Sequence, residues 1–316
     1  MVRIVKNSIG VANLFSKIYP KATILSILAL LIVATILHIL PPLGLILTLF
    51  ATIPGIILWH KSVESYGIAA VATVVLSTLF GNIFVLSFMI IILIMSFVIG
   101  QLLKERTTKE RILYITTTYI SMIVLITIMV LQSLSQLPKL MSLMKPIKHQ
   151  IKQMMAESSV SGDFKGMFDE SFRQMTVQIP SYIIIAIFIF VLVNLLITFP
   201  LLRKFKIATP IFKPLYAWQM SKTLLYIYLI VLLCVMFASQ QGTFQSVVLN
   251  MEIVLSLCMY IQGLSVIHYF GKAKSLPLVI TIMFIVFGTF INPFTHIVTL
   301  LGVIDLYINL KGIIKK

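Results

Sequence analysis

Ten apolar stretches divide this 316-residue chain, and none of them contains a Lys or an Arg. A helix that crosses a bilayer needs about 20 mostly apolar residues, so most of the stretches are long enough to span. The sequence leaves open whether the two shortest, Gly67–Phe80 and Leu276–Ile291, cross completely. The predicted spans are Ala22–Leu40, Leu43–Trp59, Gly67–Phe80, Ile83–Leu103, Ile112–Leu134, Tyr182–Leu202, Thr223–Ser239, Ser246–Phe270, Leu276–Ile291 and Phe294–Leu310.

The composition agrees with a membrane protein. Hydrophobic residues make up 59% of the chain and charged residues only 11%, whereas about a quarter of the residues in a soluble domain are charged. We therefore predict an all-α polytopic transmembrane bundle of 8–10 membrane segments, with the lipid bilayer as its partner. The net charge of +16 lies in loops and tails rather than on one binding face, so no nucleic-acid partner is expected.

The loops predict the orientation of the chain. Of the 25 Lys and Arg residues, 19 lie in the two tails and in every second loop, while the short loops at 41–42, 81–82, 240–245 and 292–293 hold none. Lys and Arg are retained on the cytoplasmic side of a bilayer. We predict a multi-pass protein of the cell membrane with both termini in the cytoplasm.

The predicted organisation has three parts. Residues 1–134 and 182–316 each form a membrane bundle of about five segments, and residues 135–181 form an extracytoplasmic amphipathic helical hairpin. The hairpin is predicted to rest its apolar face on the outer membrane interface. A lid or docking surface over a cavity between the spans is the alternative, and both hypotheses can hold together. The apolar residues at helical spacing are Ile147, Ile151, Met154 and Met155, and, after a break at 158–162, Phe164, Met167, Phe168, Phe172 and Met175.

The eighth span, Ser246–Phe270, carries the most polar residues. Polar side chains are costly in hydrocarbon, by roughly 2.5–3.5 kcal/mol for Asp at a helix centre, so they indicate candidate sites. At the helical repeat, Glu252 and Ser256 share one face, while Asn250 lies roughly opposite. Glu252 either reaches the outer interface or is hydrogen-bonded inside the bundle. The candidate ligand-binding residues are Asn250, Glu252, Ser256, Tyr260, Gln262 and Gly263.

Other polar residues and prolines in the spans are expected to be structural. Asp305 is predicted to pair with a nearby Lys at the interface, and Asn194 to form an interhelical hydrogen bond. Pro54, Pro200 and Pro293 are expected to kink or interrupt their helices. The segment Ala208–Ser221 mixes aromatic, proline and cationic residues, which are typical of an anchor at headgroup level. Phe212, Lys213 and Trp218 of this segment form a predicted interface loop, with partner docking as the alternative.

The sequence disfavours an enzyme. It has no GxxxxGK[ST] phosphate loop, no HExxH motif and no CxxC pair. Cys234 and Cys258 both lie in apolar stretches. No cofactor, metal site or catalytic residue is therefore expected. An intramembrane enzyme that uses Glu252, His296 or Asp305 is the least favoured class.

Several short runs resemble the YybS-like family of bacterial membrane proteins. They are Leu249-Asn250, Ile261–His268, Leu301–Asp305 with Asn309–Lys311, and the loop from Phe212 to Trp218. The resemblance extends over most of the chain and implies a membrane location and a helical fold rather than an activity.

The N-terminal half looks similar to the substrate-binding subunits of energy-coupling-factor vitamin transporters. The stretch Pro41–Gly81, which is rich in small residues, carries this similarity. The first span departs from that group because it lacks the AxxxA stripe. No ligand residue is carried over from either resemblance.

Two functional hypotheses follow. The first is a protein with a substrate-binding-subunit-like core that binds or transports a small molecule beside the eighth span. The second is a non-catalytic scaffold that holds another membrane protein of the cell envelope through the hairpin or the Phe212–Trp218 loop.

Overall fold

The structure, a computed structural model, describes residues 18–138, 142, 144–157, 162–238 and 242–314. Within these ranges the regular secondary structure is helical, with a short 3-10 turn at Leu215–Ala217 and no β-strand. Arg3, Lys6 and Lys17 of the predicted cytoplasmic tail, and positions 158–161 of the predicted hairpin break, lie outside the described residues. The main helices are α1 (Pro20–Ile39), α2 (Pro41–Lys61), α3 (Val63–Thr78), α4 (Ile83–Lys104), α5 (Lys109–Ser133), α6 (Lys145–Glu157), α7 (Gly162–Val177), α8 (Ile179–Lys204), α9 (Lys222–Phe237), α10 (Thr243–Ala273), α11 (Leu278–Phe290), α12 (Asn292–Ile308) and α13 (Leu310–Ile314).

Each predicted span corresponds to one of these helices, so the prediction of an all-helical, multi-pass membrane fold is confirmed. Among the described residues, six helices are long and apolar enough to cross a bilayer, namely α1, α2, α4, α5, α8 and α10. A seventh crossing results if α11 and α12, which are bent by 109° at their junction, form one broken span. Helices α3 and α9 have 16 residues each, about 24 Å, which is shorter than the roughly 30 Å hydrocarbon core.

The chain divides into two compact units. The first contains the residues up to Gln136 together with Ala186–Phe212, and the second contains Leu137–Ile185 together with the residues from Lys213 onward. Helix α8 therefore contributes its first residues to the second unit and the remainder to the first.

The core of the first unit is formed by α1, α2 and α4. Gly44 near the start of α2 allows a close approach to α1, because a Cβ at this position would collide with the backbone of Leu37. The buried side chains that meet in this core are Leu30, Ala34, Leu37, Ala51, Val85, Met89, Ile92 and Leu93.

Asn194 joins α8 to α2 inside the first unit. Its side-chain Nδ2 donates a hydrogen bond to the Leu49 carbonyl at 2.8 Å, and its Oδ1 accepts one from Thr52 Oγ1 at 3.2 Å. Pro54 lies inside α2 and leaves the Phe50 carbonyl, one residue after Leu49, without its helix donor. Asn194 and Thr52 are fully buried. The predicted interhelical hydrogen bond of Asn194 is confirmed.

The second unit is built around α10, which at 31 residues is about 46 Å long. At its crossing with α12, each helix presents a glycine. A Cβ on Gly302 would collide with the Met259 carbonyl, and a Cβ on Gly263 would collide with the Val298 carbonyl. Small residues allow membrane helices to approach closely. Gly263 is thus a packing residue of the α10–α12 contact.

The predicted hairpin segment contains helices α6 and α7, which an ion pair joins. The Asp169 carboxylate of α7 lies 2.7 Å from the Lys148 ammonium and 2.8 Å from the Lys152 ammonium, both on α6. Hydrogen bonds from these two ammonium groups hold the pKa of Asp169 below its usual range. Because the pKa is lowered in the folded protein, this pairing stabilises the folded state at neutral pH and is lost as the pH falls through the folded pKa.

The α10–α12 crossing is tested by Gly302→Val. We expect the added side chain to force the helices apart and to lower the melting temperature of the purified protein in detergent strongly, because backbone atoms of α10 occupy the required space. The matched control is Gly67→Val in the interior of α3, where a Cβ meets no atom within 4 Å. Equal melting temperatures for the two variants would contradict the crossing.

Candidate functional site along helix α10

Asn250, the first predicted ligand residue, ties the α7–α8 connection to α10. Its Oδ1 accepts hydrogen bonds from the Ser181 backbone N–H at 3.0 Å and from Ser181 Oγ at 2.6 Å. Its Nδ2 donates to the carbonyls of Val177 at 2.9 Å and Ser246 at 2.7 Å. The amide is therefore fully used within the protein, and the four contacts form what we call the Asn250 clasp.

The next predicted residues contact α9, α11 and α12, and Glu252 and Ser256 both interact with Tyr228 of α9. Glu252 interacts electrostatically with His296 of α12, and Ser256 bonds the Tyr228 phenol of α9. Further along α10, the Tyr260 hydroxyl lies 2.6 Å from Thr289 Oγ1 of α11. The polar side chains that the sequence analysis grouped as one candidate site therefore contact three different helices.

Gln262 connects α10 to the segment before α9 and to α12. Its Oε1 accepts a hydrogen bond from the Met220 N–H at 2.9 Å, and its Nε2 donates to Asp305 Oδ2 at 2.6 Å. Both Gln262 and Asp305 are 1% exposed. The other carboxylate oxygen, Oδ1, accepts a hydrogen bond from the backbone N–H of Lys311 at 3.0 Å. Each oxygen of this buried carboxylate therefore has a donor.

The Lys311 side chain adds further contacts to this group. We call the connected residues Gln262, Asp305, Lys311, Ser265 and Trp218 the polar junction. Its ammonium donates to the Trp218 carbonyl at 2.5 Å and to Ser265 Oγ at 2.7 Å. The fully buried Ser265 hydroxyl lies 2.6 Å from the Leu215 carbonyl, to which it donates. Burial lowers the pKa of Lys311, whereas the charge of Asp305 raises it. Lys311 thus contacts Asp305 through its backbone N–H, while its ammonium binds the Trp218 carbonyl and the Ser265 hydroxyl.

The chain reverses at Asn309 to bring Lys311 into place. Asn309 has a φ of +59°, in the left-handed region that Asn tolerates better than most residues, and it ends α12. The short helix α13 then places Lys311 beside α10. Sequence reasoning missed Ser265 and Lys311 as members of the site. Both lie in the runs that carry the family resemblance, so the resemblance was the signal that could have identified them.

The predicted interface loop uses its aromatic side chains within the chain. Trp218 Nε1 donates to the Lys213 carbonyl at 3.0 Å and closes a turn over the 3-10 segment. In the first unit, Phe212 stacks on Phe199 with ring centroids 5.6 Å apart, and the Lys109 ammonium lies 5.7 Å from the Phe212 centroid. Phe212 and Trp218 thus make contacts within the chain, whereas the neighbouring Ile211 is 71% exposed.

A groove of about 680 Å³ lies beside the N-terminal half of α10. Its wall consists of seven residues between Thr243 and Leu255, four residues between Val177 and Ile184, and Ile227 of α9. Of the six predicted ligand residues, only Asn250 belongs to this wall. The other five therefore lie outside the groove.

Glu252 and His296 interact with each other, while Asp305 lies further along the bundle. Asp305 follows His296 by nine residues on α12, about 13 Å along the helix axis. In the described part of the chain, no three His, Cys, Asp or Glu residues are grouped so that they could hold a metal ion.

The helices and their buried polar contacts define a multi-pass α-helical membrane protein. Residues 26–306 match the family described as Predicted membrane protein (DUF2232), and the chain belongs to this family. The "Uncharacterized protein YybS" of Bacillus subtilis (strain 168) is 28% identical over 159 residues. That match covers 48% of this chain and 51% of the relative, so the chain spans about half the length of the curated relative it matches. The predicted YybS-like resemblance is confirmed.

No solved structure matches this chain. The predicted likeness of the N-terminal half to energy-coupling-factor subunits stays a prediction. Three of the four runs that carried the family resemblance meet at the polar junction, since Trp218, Ser265 and Lys311 contact one another there.

The polar junction is tested by Lys311→Met, which keeps a long apolar side chain and removes the ammonium. We expect the free energy of unfolding to fall by about 1–3 kcal/mol, because the Trp218 carbonyl and the Ser265 hydroxyl lose a charged donor. Trp59 and Trp218 are the two tryptophans of the chain, so a Trp59→Phe background lets Trp218 fluorescence report the change. A red-shifted emission is expected.

The control is Lys274→Met, which removes an exposed ammonium close to the end of α10. It should leave both the stability and the Trp218 emission unchanged. If the Lys311 and Lys274 variants behaved alike, the role assigned to the Lys311 ammonium would be wrong.

Proposed function

We propose that this chain is a non-enzymatic membrane protein that binds a small, largely apolar ligand in the groove beside α10, as a step in ligand capture or transport. The groove is the observation that supports this function. Its volume of about 680 Å³ lies within the usual range of ligand sites, roughly 300–1,000 Å³. Because it opens along a helix long enough to span the bilayer, an apolar ligand can reach it from the membrane.

The contacts of the polar residues support different roles for different parts of α10. Asn250 is proposed to hold the groove wall in place through Ser181 and Val177, because its amide is already satisfied. Gln262 and Gly263 are proposed to fix α10 against α12. The ligand then contacts the apolar part of the wall, while Asn250, Gln262 and Gly263 determine the shape of the groove.

The non-enzymatic part of the proposal is supported by the burial of Asp305. This residue is 1% exposed, and its carboxylate lies against the Gln262 amide and the Lys311 backbone N–H. A general base must come within hydrogen-bond reach of its substrate, and this enclosure prevents it. The alternative scaffold hypothesis has less support, because the rings of Phe212 and Trp218 make contacts within the chain.

We further propose that both termini face the cytoplasm. The positive-inside bias of the loops supports this orientation. The groove then lies in the outer half of the bilayer, because the N-terminal end of α10 follows the uncharged loop 240–245.

The orientation is tested in bacterial cells with a fluorescent protein that folds only in the cytoplasm. Fused after Lys316, it should fluoresce. Fused after a truncation at Gly242, it should stay dark, because that loop carries no Lys or Arg. The reverse pattern would contradict the proposed sidedness of the groove.

Ligand binding is tested by photolabelling in lipid nanodiscs, with a long-chain alcohol that carries a diazirine in its chain. We expect label on peptides covering residues 177–184 and 243–255, the groove wall. Val254→Trp should reduce this labelling about tenfold, equivalent to about 1.4 kcal/mol of binding free energy, because the indole fills the groove. Ile184→Trp, from the opposite wall, should act in the same way.

The control is Val75→Trp, at a residue lining a second groove on α3 and α4 of the first unit. It should leave labelling of the α10 groove unchanged. Label spread evenly over all lipid-facing helices, with no effect of the two groove variants, would contradict the proposed function.

A further inference from the structure

The α10 groove changes character along its length. Thr243, Ser246 and Asn250 line the part nearest the start of α10, with Ser181 facing them from α8. The part nearer Leu255 is lined by apolar side chains. From Thr243 to Leu255 the helix rises about 18 Å. The groove therefore has a polar end and an apolar run long enough for a hydrocarbon chain.

Among the residues that the structure describes, none of those lining the groove carries a charge. The nearest acidic residue on α10, Glu252, is two positions beyond Asn250 and so points to the other side of the helix, where it interacts with His296. A charged headgroup in the groove would lose its water without gaining a counter-charge, which is costly. The wall therefore favours an uncharged headgroup.

The Ser246 hydroxyl at the polar end offers an acceptor to a ligand. Ser181 Oγ donates its single proton to the oxygens of Asn250, at 2.6 and 2.8 Å. Ser246 Oγ donates to the Gly242 carbonyl at 3.3 Å. A hydroxyl has one proton and two lone pairs. Ser181 is fully buried, so a ligand cannot reach its lone pairs. Ser246 is partly exposed, and with its proton committed to the Gly242 carbonyl, a lone pair of its Oγ remains for a ligand.

We propose that the groove binds an amphiphile whose uncharged hydroxyl headgroup donates a hydrogen bond to Ser246 Oγ, with its hydrocarbon chain running toward Leu255. This inference rests on the proposed function and adds the chemical class of the ligand. A long-chain alcohol is the simplest member of this class.

The test uses competition against the photoactivatable alcohol in nanodiscs containing the full chain. Four competitors share one hydrocarbon chain and differ in headgroup: an alcohol, its methyl ether, a carboxylic acid and a primary amine. The alcohol should compete about three- to tenfold better than the ether, which has no donor. The acid and the amine, both charged at pH 7, should compete less well than the ether.

Two serine variants separate headgroup recognition from general folding. Ser246→Ala should reduce the advantage of the alcohol over the ether and leave competition by the ether unchanged. Ser256→Ala, on the same helix but outside the groove, should change neither. Retention of the full alcohol preference in Ser246→Ala would count against the assigned acceptor.

The possible failures are distinguishable. Specific groove labelling with the acid or the amine as the best competitor, or with the ether equal to the alcohol, overturns the headgroup inference and leaves ligand binding standing. Absence of groove labelling, with both tryptophan variants without effect, overturns the proposed function and this inference together.

Discussion

The structure depends on one constraint: a polar group inside hydrocarbon must find its hydrogen-bond partner within the protein. Three amide side chains meet this constraint by joining helices. Asn194 joins α8 to α2, Asn250 joins α10 to the α7–α8 connection, and Gln262 joins α10 to α12. Each bond contributes modestly, about 0.6–2 kcal/mol in membrane proteins. Together they determine which helix faces pair, because apolar surfaces pack equally well against lipid.

The same constraint limits which side chains are available to bind a ligand. The amides of Asn250 and Gln262 are satisfied by protein groups, so they act as structural elements that hold the wall of the groove and the α10–α12 contact. The surface left open beside α10 is nearly all apolar. We expect a ligand to be selected by the shape and length of the groove and by the Ser246 hydroxyl at its polar end.

The sequence predicted the helices well because their signal is local. Long apolar runs, most of them bounded by Lys or Arg at one end only, correspond to helices over the described residues. Pro293 correctly indicated the interruption between α11 and α12, which are bent by 109°. The interhelical role of Asn194 was also predictable, because an isolated amide in hydrocarbon needs a partner.

The arrangement of the site was less predictable because it depends on residues far apart in the chain. Helical spacing placed Glu252 and Ser256 on one face of α10, yet it carried no information on which helix that face meets. The predicted pairing of Asp305 with a Lys identified the right neighbour and missed the contact: Lys311 gives its backbone N–H to the carboxylate and its ammonium to the Trp218 loop. A reversal at Asn309, which helical periodicity does not encode, produces this difference.

The most direct test of this account is a cryo-electron microscopy map of the full chain in a lipid nanodisc, at a resolution that shows side chains. The account predicts the Asn250 amide turned toward Ser181, the Gln262 amide turned toward Asp305, and an elongated non-protein density in the groove along α10. It is contradicted by a map in which the Asn250 and Gln262 amides both point into one shared polar cavity and the groove is closed by protein.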